Sequence, residues 1–132
     1  MASIRREIEI EASPEEVWSA LRDWDALHER LVPGFVVDTR REGDDLRIVT
    51  FGSGAVLRER IIAVDDEARR IAWTVVDGPY AHHSASAQVF DEGDGRSRFV
   101  WIADLLPDSL TGSTGEAMAE GTGIVKKTLE SR

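Results

Sequence analysis

Residues 8–21 read IEIEASPEEVWSAL, and the change of period in the middle of this stretch decides the fold. Up to Glu11, Ile4, Arg6, Ile8 and Ile10 alternate with Arg5, Glu7, Glu9 and Glu11. That period of two suits a half-buried strand, interrupted on its apolar face only by Arg6. From Ser13 the pattern turns helical, with Ser13 as cap, Pro14 in the first helical position and Glu16 in the third. Serine and glutamate so placed satisfy N–H groups that a helix start leaves without partners, and the acidic side chains complement its dipole. The helix carries Val17, Trp18 and Leu21 inward.

Working outward, Trp24, Leu27, His28 and Leu31 recur at i, i+3, i+4, i+7 and predict a second short helix, ended by Pro33-Gly34. Turn clusters then punctuate the chain at Glu42-Gly43-Asp44, Gly52-Ser53-Gly54, Asp65-Asp66-Glu67, Asp77-Gly78-Pro79 and Gly93-Asp94-Gly95. Such short spacing predicts antiparallel hairpins, because parallel strands need long crossovers. Six strands are expected, near 35–41, 45–51, 55–65, 69–76, 83–91 and 96–106. After Pro107, Leu110, Ala117, Met118, Gly121, Val125 and Leu129 share one face of a long helix. Ser113 and Glu116 form a second candidate capping box within it. Glycines at 112, 115, 121 and 123 are costly there, about 1 kcal/mol each relative to alanine. They imply close backbone approach to the sheet, space for a ligand, or mobility.

The 132 residues suffice for one domain spanning 1–132, and 42% hydrophobic with 31% charged residues is a globular composition. A formal net charge of −9 disfavours nucleic acid and anionic membrane surfaces. The absence of cysteine excludes disulfides and thiolate chemistry. No apolar run is long enough to span a membrane, and the charged N-terminal stretch lacks a signal-peptide core, so a cytoplasmic protein without integral membrane contact is expected. Gly52-Ser53-Gly54 precedes a strand, whereas a phosphate loop must open a helix, and no other cofactor motif is present.

The order strand, two short helices, six strands, long helix resembles the helix-grip superfamily, which includes START-related lipid-transfer domains, the birch-pollen allergen family and polyketide cyclase/dehydrase-like (SRPBCC) proteins. IEIEASPEEVWSAL is similar to that superfamily's first strand and capped helix. GAVLRERIIAVDDEARRIAWTVVDGP resembles its paired central strands, FVWIADLLP its last strand, and GTGIVKKTLE the end of its helix. The resemblance implies an α+β helix-grip fold: a seven-stranded curved antiparallel sheet around a long C-terminal helix, with two short helices between the first and second strands. It also implies a cavity between sheet and helix for a lipid- or polyketide-like molecule.

Several residues carry candidate chemistry. Alternation along the central strand sets Leu57, Glu59 and Ile61 on one face and Val56, Arg58, Arg60 and Ile62 on the other. Between apolar neighbours, Glu59 is a candidate proton donor or an anchor for a ligand hydroxyl, or else one half of a cross-strand ion pair. His83 shares a face with Ala85, Ala87 and Val89, where small side chains leave room beside the helix. It is a candidate ligand contact or acid–base group, or a strand-end histidine bonded to backbone. His82 points the other way, and no spacing motif unites it with His28 and His83 around a metal, so no metal site is expected. Trp24, His28, Phe35, Trp73, Trp101, Met118 and Gly121 complete the expected pocket, with core packing as the alternative for the aromatics and for His28.

Three functions follow. One is binding of a small apolar or amphipathic molecule without a cofactor. The second is a cyclase or dehydratase using Glu59 and His83 as acid and base. The third is a protein-interaction module or homodimer, which exposed apolar side chains around Val36, Phe51 and Val100 would favour.

Overall fold

A computed structural model describes residues 2–131. Strand β1 (Ala2–Ile10) leads through Ser13, whose hydroxyl accepts the Glu16 N–H at 3.2 Å, into helix α1 (Pro14–Arg22). The Trp18 indole and the Arg22 guanidinium then both donate to Asp66, at 2.9 and 2.7 Å, tying α1 to the turn at the far end of the sheet. The expected second short helix is a single π-helical turn, Leu27–Leu31, with Trp24 outside it. Leu27 and Leu31 are buried there. Five residues are all the chain can coil before Pro33-Gly34 redirects it.

Six strands follow: β2 (Val36–Glu42), β3 (Leu46–Phe51), β4 (Val56–Asp65), β5 (Arg70–Asp77), β6 (His82–Gly93) and β7 (Arg96–Leu106). Every neighbouring pair is antiparallel, in the order β1-β7-β6-β5-β4-β3-β2. β1 and β2 therefore form opposite edges, and α1 with the π-helical turn carries the chain between them. Register shifts in β4, between Arg58 and Glu59 and between Ile61 and Ala63, bend the strand and help the sheet curl.

Helix α2 (Thr111–Glu130) continues a 3₁₀ turn at Asp108–Leu110 and lies in the concavity. The expected capping box at Ser113 does not form. Leu110 already has helical backbone angles, so the helix starts earlier, and the Ser113 hydroxyl donates back to the Leu110 carbonyl at 3.3 Å. Met118, Gly121, Val125 and Leu129 are buried as expected. Two glycines prove to be close-approach positions. A Cβ on Gly115 would meet Arg6 Nη2 at 3.0 Å, and one on Gly121 would meet Trp101 at 3.1 Å and Phe35 at 3.2 Å. Arg6 thus keeps the inward register of β1 by reaching under the helix to the Gly115 carbonyl at 3.3 Å.

The apolar exposure that would favour an interaction module is not found at Val36, Phe51 or Val100 themselves. Val36 is buried where β2 begins, Phe51 is half-buried, and Val100 is buried on an interior strand between Glu7 of β1 and Gln88 of β6. Val37, Val56, Ile62, Val64 and Val76 are the large apolar side chains exposed instead. Among the described residues no helix is long and apolar enough to cross a membrane.

Candidate functional site

The concave face of the sheet and α2 line a partly open cavity of about 70 Å³ with predominantly apolar walls. Leu27 and Leu31 of the π-helical turn line it, with Val32 just after them, as do Val125 from α2 and Ile71, Trp73, Ala87, Phe99 and Trp101 from the central strands. Trp73 and Trp101 stand beside each other with ring centroids 6.2 Å apart. Phe35 and Phe51 meet edge to face at 5.5 Å at one end.

Two charged residues belong to this wall, Arg47 and Glu59. They face each other across the β3–β4 hairpin, where Arg47 is the register partner of Glu59. Arg47 Nε donates to Glu59 Oε1 at 2.8 Å and Nη1 to the Trp24 carbonyl at 2.9 Å, while the guanidinium lies 5.4 Å from the Trp73 ring centre. Their side chains are 5% and 8% exposed, so this is a buried ion pair. In such surroundings neither charge is tolerable without the other.

Of the residues expected at the pocket, Phe35, Glu59, Trp73, Ala87 and Trp101 line the cavity. Gly121 stands behind Phe35 and Trp101, and Met118 and Ala85 are buried outside the cavity wall. Trp24 contributes its carbonyl to Arg47, while its ring lies under the Arg41 guanidinium at 4.4 Å. His28 pairs with Glu29 at 3.2 Å, and its Nδ1 is buried without a hydrogen bond. Neither Trp24 nor His28 reaches the cavity wall.

His83 is buried on the inner face, as the alternation predicts, yet outside the cavity. Its Nδ1 accepts the Val75 N–H at 3.2 Å, its carbonyl accepts the Thr74 hydroxyl, and its ring lies 5.0 Å from Tyr80. Burial pushes the imidazole below its ordinary value, His82 adds to this, and Glu59 opposes it. His83 is therefore a neutral ring whose Nδ1 already has a donor. Among the described residues no group of three or more His, Cys, Asp or Glu is placed to hold a metal ion.

The residue that sequence reasoning missed is Arg47. The signal was present: Arg47 and Glu59 lie equally far from Ser53, the centre of the Gly52-Ser53-Gly54 turn, and a tight hairpin pairs such residues.

An open antiparallel sheet gripping a C-terminal helix around an apolar cavity defines the helix-grip class of α+β proteins. The chain belongs to the family described as polyketide cyclase/dehydrase and lipid transport, which matches residues 1–131. Solved structures agree on the fold. The protein XoxI from Bacillus cereus superposes with a TM-score of 0.85 at 19% identity, over 98% of this chain and 96% of that one. The ZhuI aromatase/cyclase from Streptomyces sp. R1128 gives 0.81 at 16% identity, over 99% and 94%. A START superfamily protein from Mycobacterium smegmatis gives 0.70 at 16%, over 95% and 97%. Comparison with curated proteins finds no match.

Proposed function

We propose that this protein binds a small apolar or amphipathic molecule in the cavity between sheet and α2. The observation that carries the reading is a mainly apolar, partly open cavity of about 70 Å³ with a buried ion pair on its wall. Ligand sites combine apolar walls with a few fixed polar groups in this way. Family membership supports a lipid- or polyketide-like occupant. Drug-sized ligands occupy roughly 300–1,000 Å³, so one of that size displaces part of the wall as it enters.

Proton transfer between Glu59 and His83 draws less support, because Arg47 engages Glu59, and His83 lies off the cavity with its Nδ1 bonded to backbone. Native mass spectrometry of freshly purified protein, with a denatured extract as control, tests the binding reading. An adduct released on denaturation is expected. No adduct, together with no saturable fluorescence enhancement of N-phenyl-1-naphthylamine, overturns it.

A further inference from the structure

The Arg47–Glu59 pair specifies the ligand's chemistry beyond its being apolar. Stability does not require an ion pair in such a place, since well-packed apolar residues of similar volume are often as good or better. What the pair does supply is a fixed polar point in an otherwise apolar wall, with zero net charge. Glu59 Oε1 and Arg47 Nε are used on each other, and Arg47 Nη1 is used on the Trp24 carbonyl. Glu59 Oε2 and Arg47 Nη2 have no protein hydrogen-bond partner among the described residues. One acceptor and one donor thus remain on two paired residues that line the cavity.

A hydroxyl answers both through a single atom, because it donates once and accepts through its lone pairs. A ketone or ether accepts only, and leaves Glu59 Oε2 without a donor. A carboxylate meets a guanidinium already neutralised by Glu59 and sets two anions together in an apolar enclosure. An ammonium meets the converse problem at Arg47. The neighbouring Trp73 and Trp101 rings offer flat, largely apolar surface to the body of the molecule, although the Trp101 Nε1–H is buried without a hydrogen-bond partner among the described residues.

We infer that the cavity selects a neutral alcohol or phenol, its hydroxyl held between Glu59 Oε2 and Arg47 Nη2 and its apolar body against Trp73 and Trp101, and rejects the corresponding carboxylate. This rests on the cavity being a ligand site.

Three para-substituted toluenes of similar size separate the possibilities by calorimetric titration at neutral pH: p-cresol, 4-methylanisole and 4-methylbenzoate. The wild-type protein is expected to bind p-cresol about tenfold more tightly than 4-methylanisole, the worth of one further hydrogen bond, and 4-methylbenzoate more weakly still. In Glu59→Gln the guanidinium loses its counter-charge, and 4-methylbenzoate is expected to overtake p-cresol. In the double variant Arg47→Met/Glu59→Leu, p-cresol and 4-methylanisole should bind alike. That variant decides the matter where Glu59→Gln does not fold. Wild-type protein binding 4-methylbenzoate as tightly as p-cresol overturns the inference, as does a double variant that keeps the wild-type order. Should none of the probes bind the wild type, the ligand-cavity reading falls first and takes this inference with it.

Discussion

Removing one member of the Arg47–Glu59 pair leaves an uncompensated charge among apolar side chains, whereas removing both leaves none. Urea denaturation of Arg47→Met is therefore expected to show a loss of about 3–5 kcal/mol, and Arg47→Met/Glu59→Leu a loss far smaller than the sum of the single changes. Additive losses would mean that the two charges do not depend on each other. His83 makes a different prediction. Its folded imidazole titrates below the unfolded one, so both states are neutral above the ordinary value of about 6.5 and stability there is full. As pH falls below that value the unfolded chain takes up the proton first, and stability declines by at most about 1.4 kcal/mol per pH unit for this one group. His83→Asn retains an acceptor for the Val75 N–H but cannot charge, so its melting temperature should fall less between pH 7 and pH 5. An unchanged slope would assign the acid sensitivity elsewhere. Glu59 and His83 were legible in the sequence as inward residues because strand alternation places them without knowledge of their neighbours. Arg47 was not, because in Leu46-Arg47-Ile48-Val49-Thr50-Phe51 both alternating sets contain apolar residues, and only pairing with β4 tells them apart.

Among the elements, α2 is the one whose sequence conflicts with its structure, since glycines weaken a helix unless something else needs them. Gly121 is needed, because Trp101 and Phe35 crowd the space its Cβ would take, but Gly123 has no neighbour within 4 Å of that position. Gly123→Ala should raise stability by about 1 kcal/mol from helix propensity alone. Gly121→Ala should forfeit that gain and alter tryptophan fluorescence as the Trp101 ring shifts. Equal stabilisation by both would show that Phe35 and Trp101 yield freely. Helix α1 and the hairpins were readable because their signals are local: a capping serine before proline, and turn residues at short intervals. The second short helix is present, but its extent was not legible, because Trp24, Leu27, His28 and Leu31 all keep helical spacing while only Leu27–Leu31 coils. Trp24 is instead fixed from outside its own segment, by Arg47 at its carbonyl and Arg41 on its ring. Ser113 failed as a cap for a similar reason, since the 3₁₀ turn before it had already begun the helix.

At the scale of the molecule, the curl of the sheet leaves two spaces with the Phe35 and Phe51 rings common to both. Phe35 and Phe51 line the inner cavity of about 70 Å³ and also a surface groove of about 520 Å³ bordered by Leu57, Ala117 and Glu120. The Phe35 backbone is held independently of its ring, because its carbonyl accepts the Gly52 N–H at 2.9 Å. Truncating the ring should therefore leave the 33–35 loop in place while opening the cavity to the groove. Phe35→Ala is expected to cost about 2 kcal/mol in denaturation, less than a fully buried phenylalanine because the ring is only partly covered. It should also speed association of N-phenyl-1-naphthylamine in stopped-flow mixing, since the probe no longer waits for a ring to move. Phe51→Ala removes the edge-to-face partner but leaves Phe35 against Gly121, so its effect on the rate should be smaller. Equal association rates in wild type and Phe35→Ala would place the entrance elsewhere on the rim of the sheet. Faster association in Phe35→Ala with unchanged selectivity among p-cresol, 4-methylanisole and 4-methylbenzoate would separate access, governed by Phe35, from recognition, governed by Arg47 and Glu59.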